Sequence, residues 1–251
     1  MIFTDDFKYI DTHCHLDLYE DYKDIALEAS KNKTFIIAVT NMPSVFQHEV
    51  KLFKNDNVIV SLGLHPQLAK EYGHEINLFV DLLPKAKFIG EIGLDYQISD
   101  NDLKKKQIDI FERIVHESAK YEDKVLTVHS RRSSEDIVSI IGSNFPGTII
   151  LHWYSGSIST LKKALFNGYL FSINPSMTIS KSGQAIIKAL PLESILTETD
   201  GPFNSIDGKI IKPSDVKNVV TYLAKLHNKS EQFIEEQIKS NFIRIINKNN
   251  I

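Results

Sequence analysis

The chain has 251 residues, 42% of them hydrophobic and 24% charged, with a formal net charge of −3. This apolar content argues against disorder, and the length suits one α/β barrel domain spanning 1–251. The slightly negative balance excludes a protein that wraps duplex DNA by bulk electrostatics; any contact with nucleic acid must come from a local patch.

A single cysteine, Cys14, leaves no intrachain disulfide and fits a reducing compartment. The opening MIFTDDFKYIDTHCH is acidic and lacks the basic and apolar regions of a signal peptide. No stretch approaches ~20 uninterrupted apolar residues. The expectation is a soluble, cytoplasmic protein without a membrane span.

Short β-branched apolar runs alternate with amphipathic segments, the pattern of a parallel sheet with crossover helices. Eight strands are expected: Tyr9–His15, Thr34–Thr40, Val58–Leu64, Phe88–Leu94, Lys124–His129, Thr148–His152, Tyr169–Ile173 and Ile195–Asp200. The clearest helix is Leu103–Tyr121, with Ile108, Phe111, Ile114, Val115 and Ser118 on one face. Two more helices close the chain, one near Pro213 and one after the cap Ser230. Eight β-then-α units in one chain of this length predict a (β/α)8 TIM barrel. A doubly wound open sheet is the alternative that strand counting leaves open.

Active sites of such barrels lie at the C-terminal ends of the strands. Here those ends carry His13 and His15, then His65, then Glu91 and Asp95, then His129 with Arg131, then His152, and finally Glu198 and Asp200. Any one of these histidines alone reads as a satisfied core or loop residue. His13 and His15 differ, because side chains at i and i+2 of a strand share a face and can meet one ion. Cys14 faces the other way and reads as a small buried hydrophobe. Glu91, set among apolar residues between Gly90 and Gly93, is costly to bury unless paired or bound to metal. Asp200 ends its strand before Gly201-Pro202, where a turn-forming Asp is the plain alternative.

His13, His15, Glu91, His129, His152 and Asp200 together form an N/O ligand set for Zn²⁺, Mn²⁺, Co²⁺ or Ni²⁺, with Mg²⁺ also allowed. Six ligands exceed one tetrahedral ion with an open position. They suit two divalent ions about 3.5–4 Å apart, bridged by a carboxylate and a water.

The segments DTHCHLD (Asp11–Asp17), GLHP (Gly63–Pro66), GEIGLDY (Gly90–Tyr96), VHSR (Val128–Arg131), HWYSG (His152–Gly156) and PLESILTETDGPF (Pro191–Phe203) closely resemble the TatD family of metal-dependent deoxyribonucleases. SNFIRII (Ser240–Ile246) is similar to that family's last helix. The resemblance covers nearly the whole chain in order. It implies an amidohydrolase-like barrel, two divalent metal ions (Zn, Mn or Mg), and hydrolysis of DNA phosphodiesters, 3′-5′ exonuclease-like, on single strands or ends.

Carried onto this chain, the resemblance implies that His13 and His15 hold one ion with Glu91 and Asp200. Glu91 bridges to a second ion completed by His129 and His152. Asp200 and Glu91 are the catalytic carboxylates, Asp200 orienting the attacking water. His65, Asp95, Arg131 and Glu198 match positions that contact substrate or support ligands. HWYSG, Lys212-Pro213 and SINPSMTISKSGQ depart from the usual family wording, which bears on substrate preference. The SINPSM and ETDGPF wording resembles members that accompany anti-phage defence clusters, which implies partner proteins of a multi-gene system.

Three functions compete. A nuclease would stack bases on Tyr96, Trp153, Tyr154 or Phe203 and hold phosphates with Arg131, Arg132, Lys181, Lys209 or Lys212. Core packing is the plain reading of those aromatics, and a solvated surface that of the cations. An ester or amide hydrolase, such as a D-aminoacyl-tRNA deacylase, would use the same metals on another bond. A metal-stabilised partner subunit would retain the site without turnover.

Overall fold

The computed structural model describes residues 6–247. Residues 1–5, where the reading of the N-terminus begins, and 248–251 lie outside it. In chain order the elements open with β1 (Tyr9–Cys14), α1 (Tyr22–Lys31), β2 (Thr34–Val39), α2 (Pro43–Leu52), β3 (Val58–Ser61), α3 (Ala69–Tyr72) and α4 (Ile76–Leu82). Next come β4 (Phe88–Asp95), α5 (Asn101–Ser118), β5 (Val125–Arg131), α6 (Ser134–Ile141), β6 (Thr148–His152), α7 (Ile158–Phe166) and β7 (Leu170–Ile173). The chain continues through α8 (Pro175–Ile179), α9 (Lys181–Ala189) and β8 (Ile195–Thr197) to a hairpin, β9 (Ser205–Ile206) with β10 (Lys209–Ile210). It closes with α10 (Lys217–His227) and α11 (Glu231–Ile246).

These residues fall into two compact units that interleave along the sequence. The first takes the residues up to Ala38, Phe53–Ile59 and the chain from Phe171 onward; the second takes Val39–Leu52 and Val60–Leu170.

In the first unit β1 runs parallel to β2, pairing Tyr9 with Thr34 and Ile10 with Phe35. β7 runs parallel to β8, pairing Phe171 with Ile195. The end of β8 bonds to β1: Asp200 N–H donates to the His13 carbonyl (2.9 Å) and His15 N–H to that of Gly201 (2.8 Å). Within this unit the end of β8 thus lies beside that of β1. β2 reads TFIIAV and is buried along its whole length, as a strand covered on both faces requires. α11 starts where the Ser230 hydroxyl accepts the Phe233 N–H (3.1 Å). It packs Phe242 on Phe35 with ring centroids 5.6 Å apart.

In the second unit β4, β5 and β6 are parallel neighbours, with Gly93 opposite His129, Asp95 opposite Arg131 and Val128 opposite Leu151. Leu62 joins their edge by a bridge to Ile89. On α5 the buried face is Gln107, Phe111, Ile114, Val115 and Ser118. Ile108, expected there, is only half-buried, and Gln107 takes the place. The reason is polar: the Gln107 side chain accepts the Asp95 N–H (2.9 Å) and donates to the Pro66 carbonyl (3.0 Å).

The expected strands are present, with shifted ends. β1, β3 and β8 stop at Cys14, Ser61 and Thr197, short of His15, His65 and Asp200, whereas β4 and β5 run on to Asp95 and Arg131. Polar strand-end residues spend their backbone bonds on turns and side chains, which ends the ladder. Gly93 has φ 137°, and a Cβ there would lie 2.1 Å from the His129 carbonyl oxygen. Gly93→Ala is therefore expected to lower unfolding free energy by about 2 kcal/mol or more, since strained φ and backbone clash add. Urea denaturation of the metal-free protein measures it.

Candidate metal centre

His13 and His15 leave β1 on one face, as their spacing predicts. Their rings stand edge to face at 5.2 Å, both buried. The Nε2 atoms lie 3.5 Å and 3.6 Å from Oδ1 of Asp200. These three residues offer donor atoms within 4.8 Å of one another. Cys14 is a buried thiol directed at the Gly201 carbonyl (3.7 Å), and burial raises its pKa well above the usual thiol value. A thiolate ligand is not what this environment favours.

Asp200 is held in left-handed backbone, φ 54°, and is only 7% exposed. It owes this position to Asp11, whose carboxylate accepts the Thr199 N–H (2.9 Å), the His13 N–H (3.2 Å) and the Thr199 hydroxyl. Sequence reasoning passed over Asp11, although it shares the parity of His13 and His15. Burial raises its pKa well above the ordinary carboxylate range, against the pull of these bonds. Asn204 was missed as well. It donates from its amide to the Thr199 carbonyl (3.0 Å) and from its backbone to that of Asp200 (3.1 Å). Glu198 accepts hydrogen bonds from Ser172 and from Asn174 (3.1 Å).

In the second unit Oε1 of Glu91 is approached by His129 Nδ1 at 2.6 Å, His152 Nε2 at 3.0 Å and His65 Nε2 at 3.2 Å. His65, Glu91 and His129 also place donor atoms within 4.8 Å of one another. The two approaching histidines His129 and His65 differ in what their other nitrogen does. His129 has a carboxylate at each ring nitrogen, Glu91 at Nδ1 and Asp95 at Nε2 (3.1 Å), and the Asp95 bond would hold the proton on Nε2 once an ion took Nδ1. That is the usual support of a metal-bound imidazole. His65 Nδ1 accepts the Gln67 N–H (3.2 Å), so the neutral ring carries its proton on Nε2. His65 Nε2–H is thereby directed at the Glu91 carboxylate.

Asp95 is anchored by Gln67 Nε2 (2.7 Å) and the Gln97 N–H (2.9 Å) as well as by His129. Burial pulls the His129 imidazolium down, but the bonds to Asp95 and Glu91 and the Glu91 charge outweigh it and leave the pKa raised. For Asp95 burial acts upward, and the bonds from His129, Gln97 and Gln67 bring the pKa down to about 2.

Among the aromatics considered for base stacking, Tyr154 is a core residue, 1% exposed, with its hydroxyl on the Ser157 carbonyl (2.7 Å). Tyr96 is half-buried, bonded to Asp136 (2.6 Å) and covered by Lys104, whose Nζ is 5.5 Å from the ring. Trp153 is half-buried, and Phe203 is 63% exposed. Among the cations, Lys212 pairs with Glu28 (2.8 Å) and so is committed to structure. Arg131, Arg132, Lys181 and Lys209 are exposed.

The family model for TatD related DNase matches residues 10–247. The chain belongs to the TatD-related DNase family. It is 30% identical over 245 residues to a metal-dependent hydrolase of Methanocaldococcus jannaschii, covering 94% of this chain and 96% of that one. It is 26% identical over 260 residues to a human deoxyribonuclease, TATDN3, covering 95% and 94%. The crystal structure of the TatD homologue YjjV from Escherichia coli K12 superposes with a TM-score of 0.85 at 24% identity, covering 95% of this chain and 97% of that one. This TatD-family chain is a metal-dependent hydrolase of (β/α)8, amidohydrolase-like fold class. Its buried His, Asp and Glu groups suit a divalent cation. Among the described residues no helix is long and apolar enough to cross a membrane.

The Asp95 pKa generates an acid-stability prediction. Its folded value of about 2 lies below its ordinary 3.8. The anchoring bonds of Asp95 therefore stabilise the fold fully above the ordinary value and are lost as pH falls toward the folded one. In metal-free protein, Asp95→Asn is expected to lower stability at pH 7 and to flatten its loss between about pH 4 and 2. Urea melts across that range give the slopes.

Proposed function

We propose that this protein hydrolyses DNA phosphodiesters at single-stranded or frayed ends, 3′-5′ exonuclease-like, with two divalent ions. The observation that carries the reading is the buried Asp200 carboxylate facing both His13 and His15 Nε2 atoms at 3.5 Å and 3.6 Å. A carboxylate in that position can take a proton from an attacking water while the imidazoles keep their lone pairs for a cation. The second ion is assigned to Glu91, His129 and His152. A bound divalent ion supplies Lewis acidity, easing deprotonation of water near neutral pH and stabilising charge on a phosphoryl oxygen.

The chain's own groups do the rest. Asp200 orients and deprotonates the water. With an ion bound, Asp95 would hold the His129 proton on Nε2 and leave Nδ1 to the ion. His65 donates from Nε2 toward a substrate oxygen. Arg131 is exposed two residues beyond His129 and grips a phosphate with its guanidinium fork. DNA as the substrate is supported by the family match and by the human deoxyribonuclease relative. Preference for ends fits the net charge of −3, which gives little hold on long duplexes. Residues 1–251 act as one domain in this reading. Partner proteins of a defence system rest on the SINPSM and ETDGPF wording, and co-purification of neighbouring gene products tests them.

Metal analysis of protein reloaded with Mn²⁺ or Zn²⁺ is expected to give about two ions per chain. An ion-free protein under saturating metal overturns the proposal. Asp200→Asn keeps the shape and removes the charge, and is expected to lower turnover about a hundredfold or more. Arg131→Ala is expected to raise KM on oligonucleotides with metal content intact. The decisive assay compares end-labelled single-stranded, blunt and overhanging DNA, RNA and an aminoacyl ester. Ester hydrolysis without DNA cleavage moves the assignment to a deacylase.

A further inference from the structure

We infer that Phe203 is the platform on which the terminal nucleobase of the substrate stacks, making it the residue that selects unpaired ends. The inference rests on the nuclease reading above and adds to it a specificity-determining side chain. Single exposed apolar residues are ordinary on protein surfaces and need no function. Phe203 differs in three respects.

Its location is the first. The ring lies 4.9 Å from the His15 ring at 79°, so an exposed aromatic stands directly on a buried imidazole of the His13–His15–Asp200 group. A nucleotide whose phosphate reaches that group has its base within reach of this ring.

Its rigidity is the second. Phe203 sits between Asp200 and Asn204, which are both buried, and Asn204 is tied on every side. It bonds the Thr199 carbonyl (3.0 Å) through its amide nitrogen and accepts from Ser176 Oγ (2.5 Å) through its amide oxygen. Its carbonyl accepts the Ile211 N–H (3.0 Å), and the Ile211 carbonyl in turn accepts the Tyr19 hydroxyl (2.5 Å). Gly201 completes the turn; a Cβ there would lie 1.8 Å from the Tyr19 hydroxyl. On this constrained turn Phe203 keeps 63% of its surface exposed. A fixed, open aromatic needs little ordering when a base stacks on it.

Elimination is the third. Tyr154 is core, and Tyr96 is bonded and covered. Phe203 alone among the four aromatics considered presents most of its ring to solvent. Next in the chain the β9–β10 hairpin turns through Asp207 and Gly208, both at positive φ, and exposes Lys209 and Ile210.

The test pairs a protein change with a substrate change. The probes are a single-stranded oligonucleotide and the same strand with an abasic sugar at the cleaved end. Wild type is expected to lose roughly ten- to a hundredfold in kcat/KM, mostly through KM, when the base is removed, as for loss of one base–aromatic stack. Phe203→Ala is expected to lose a similar factor on the intact strand and nothing further on the abasic one. Phe203→Trp is expected to retain the discrimination. Metal content and thermal midpoint serve as controls, both close to wild type. Equal activity of Phe203→Ala and wild type on the intact strand overturns the inference. So does a Phe203→Ala loss that persists in full on the abasic strand, because the ring then acts structurally. Wild type that discriminates neither strand while cleaving both leaves the nuclease reading standing and removes the platform. Wild type that cleaves no nucleic acid under Mg²⁺, Mn²⁺ or Zn²⁺ removes both.

Discussion

The Asp11 carboxylate is the constraint on which the first donor group depends. It is fully buried and spans the ends of β1 and β8, holding the His13 backbone with one oxygen and Thr199 with both. The main-chain bonds from Asp200 to His13 and from His15 to Gly201 lie immediately beside it. A carboxylate so placed is costly to bury and is tolerated because its bonds are made. It fixes the spacing between two histidines from the start of the chain and an aspartate from its end. Pre-organisation of this kind lets a ligand group bind a cation without first being ordered.

The second donor group uses another device, the assignment of protons. Glu91 draws three imidazole nitrogens toward one oxygen, and geometry alone would treat the three alike. Their other nitrogens separate them. Asp95 accepts from His129 Nε2, whereas His65 Nδ1 accepts from the Gln67 N–H. His65 is left with its proton on Nε2, while His129 has a carboxylate at each nitrogen. Gln107 connects this arrangement to the helix layer, because its side chain binds both the Asp95 backbone and the loop at Pro66.

The surface divides in the same way between committed and available groups. Lys212, Lys104 and Tyr96 have partners that account for them. Arg131, Lys209 and Phe203 do not face such demands and remain exposed beside chain segments that carry donor residues. With a net charge of −3, contact with a polyanion depends on such local groups, not on the field of the whole molecule.

The sequence by itself signalled the eight parallel strands, the helix at Asn101–Ser118, and the polar residues at the strand ends. These are signalled by local period: alternation in strands, helical spacing in α5, and polar residues at apolar strand ends. His13 and His15 were legible as a pair because parity is a property of one strand. Only the tertiary structure decided what lies between elements distant in the chain. Asp11 meeting Thr199, Glu198 turning to Ser172 and Asn174, Gln107 replacing Ile108 on the buried face, and the burial of Tyr154 are all such cases. A polar side chain is satisfied by whichever partner packing brings to it, and that partner is invisible to local pattern. The same holds for the proton on His65, set by a backbone N–H two residues away whose direction only the folded turn defines.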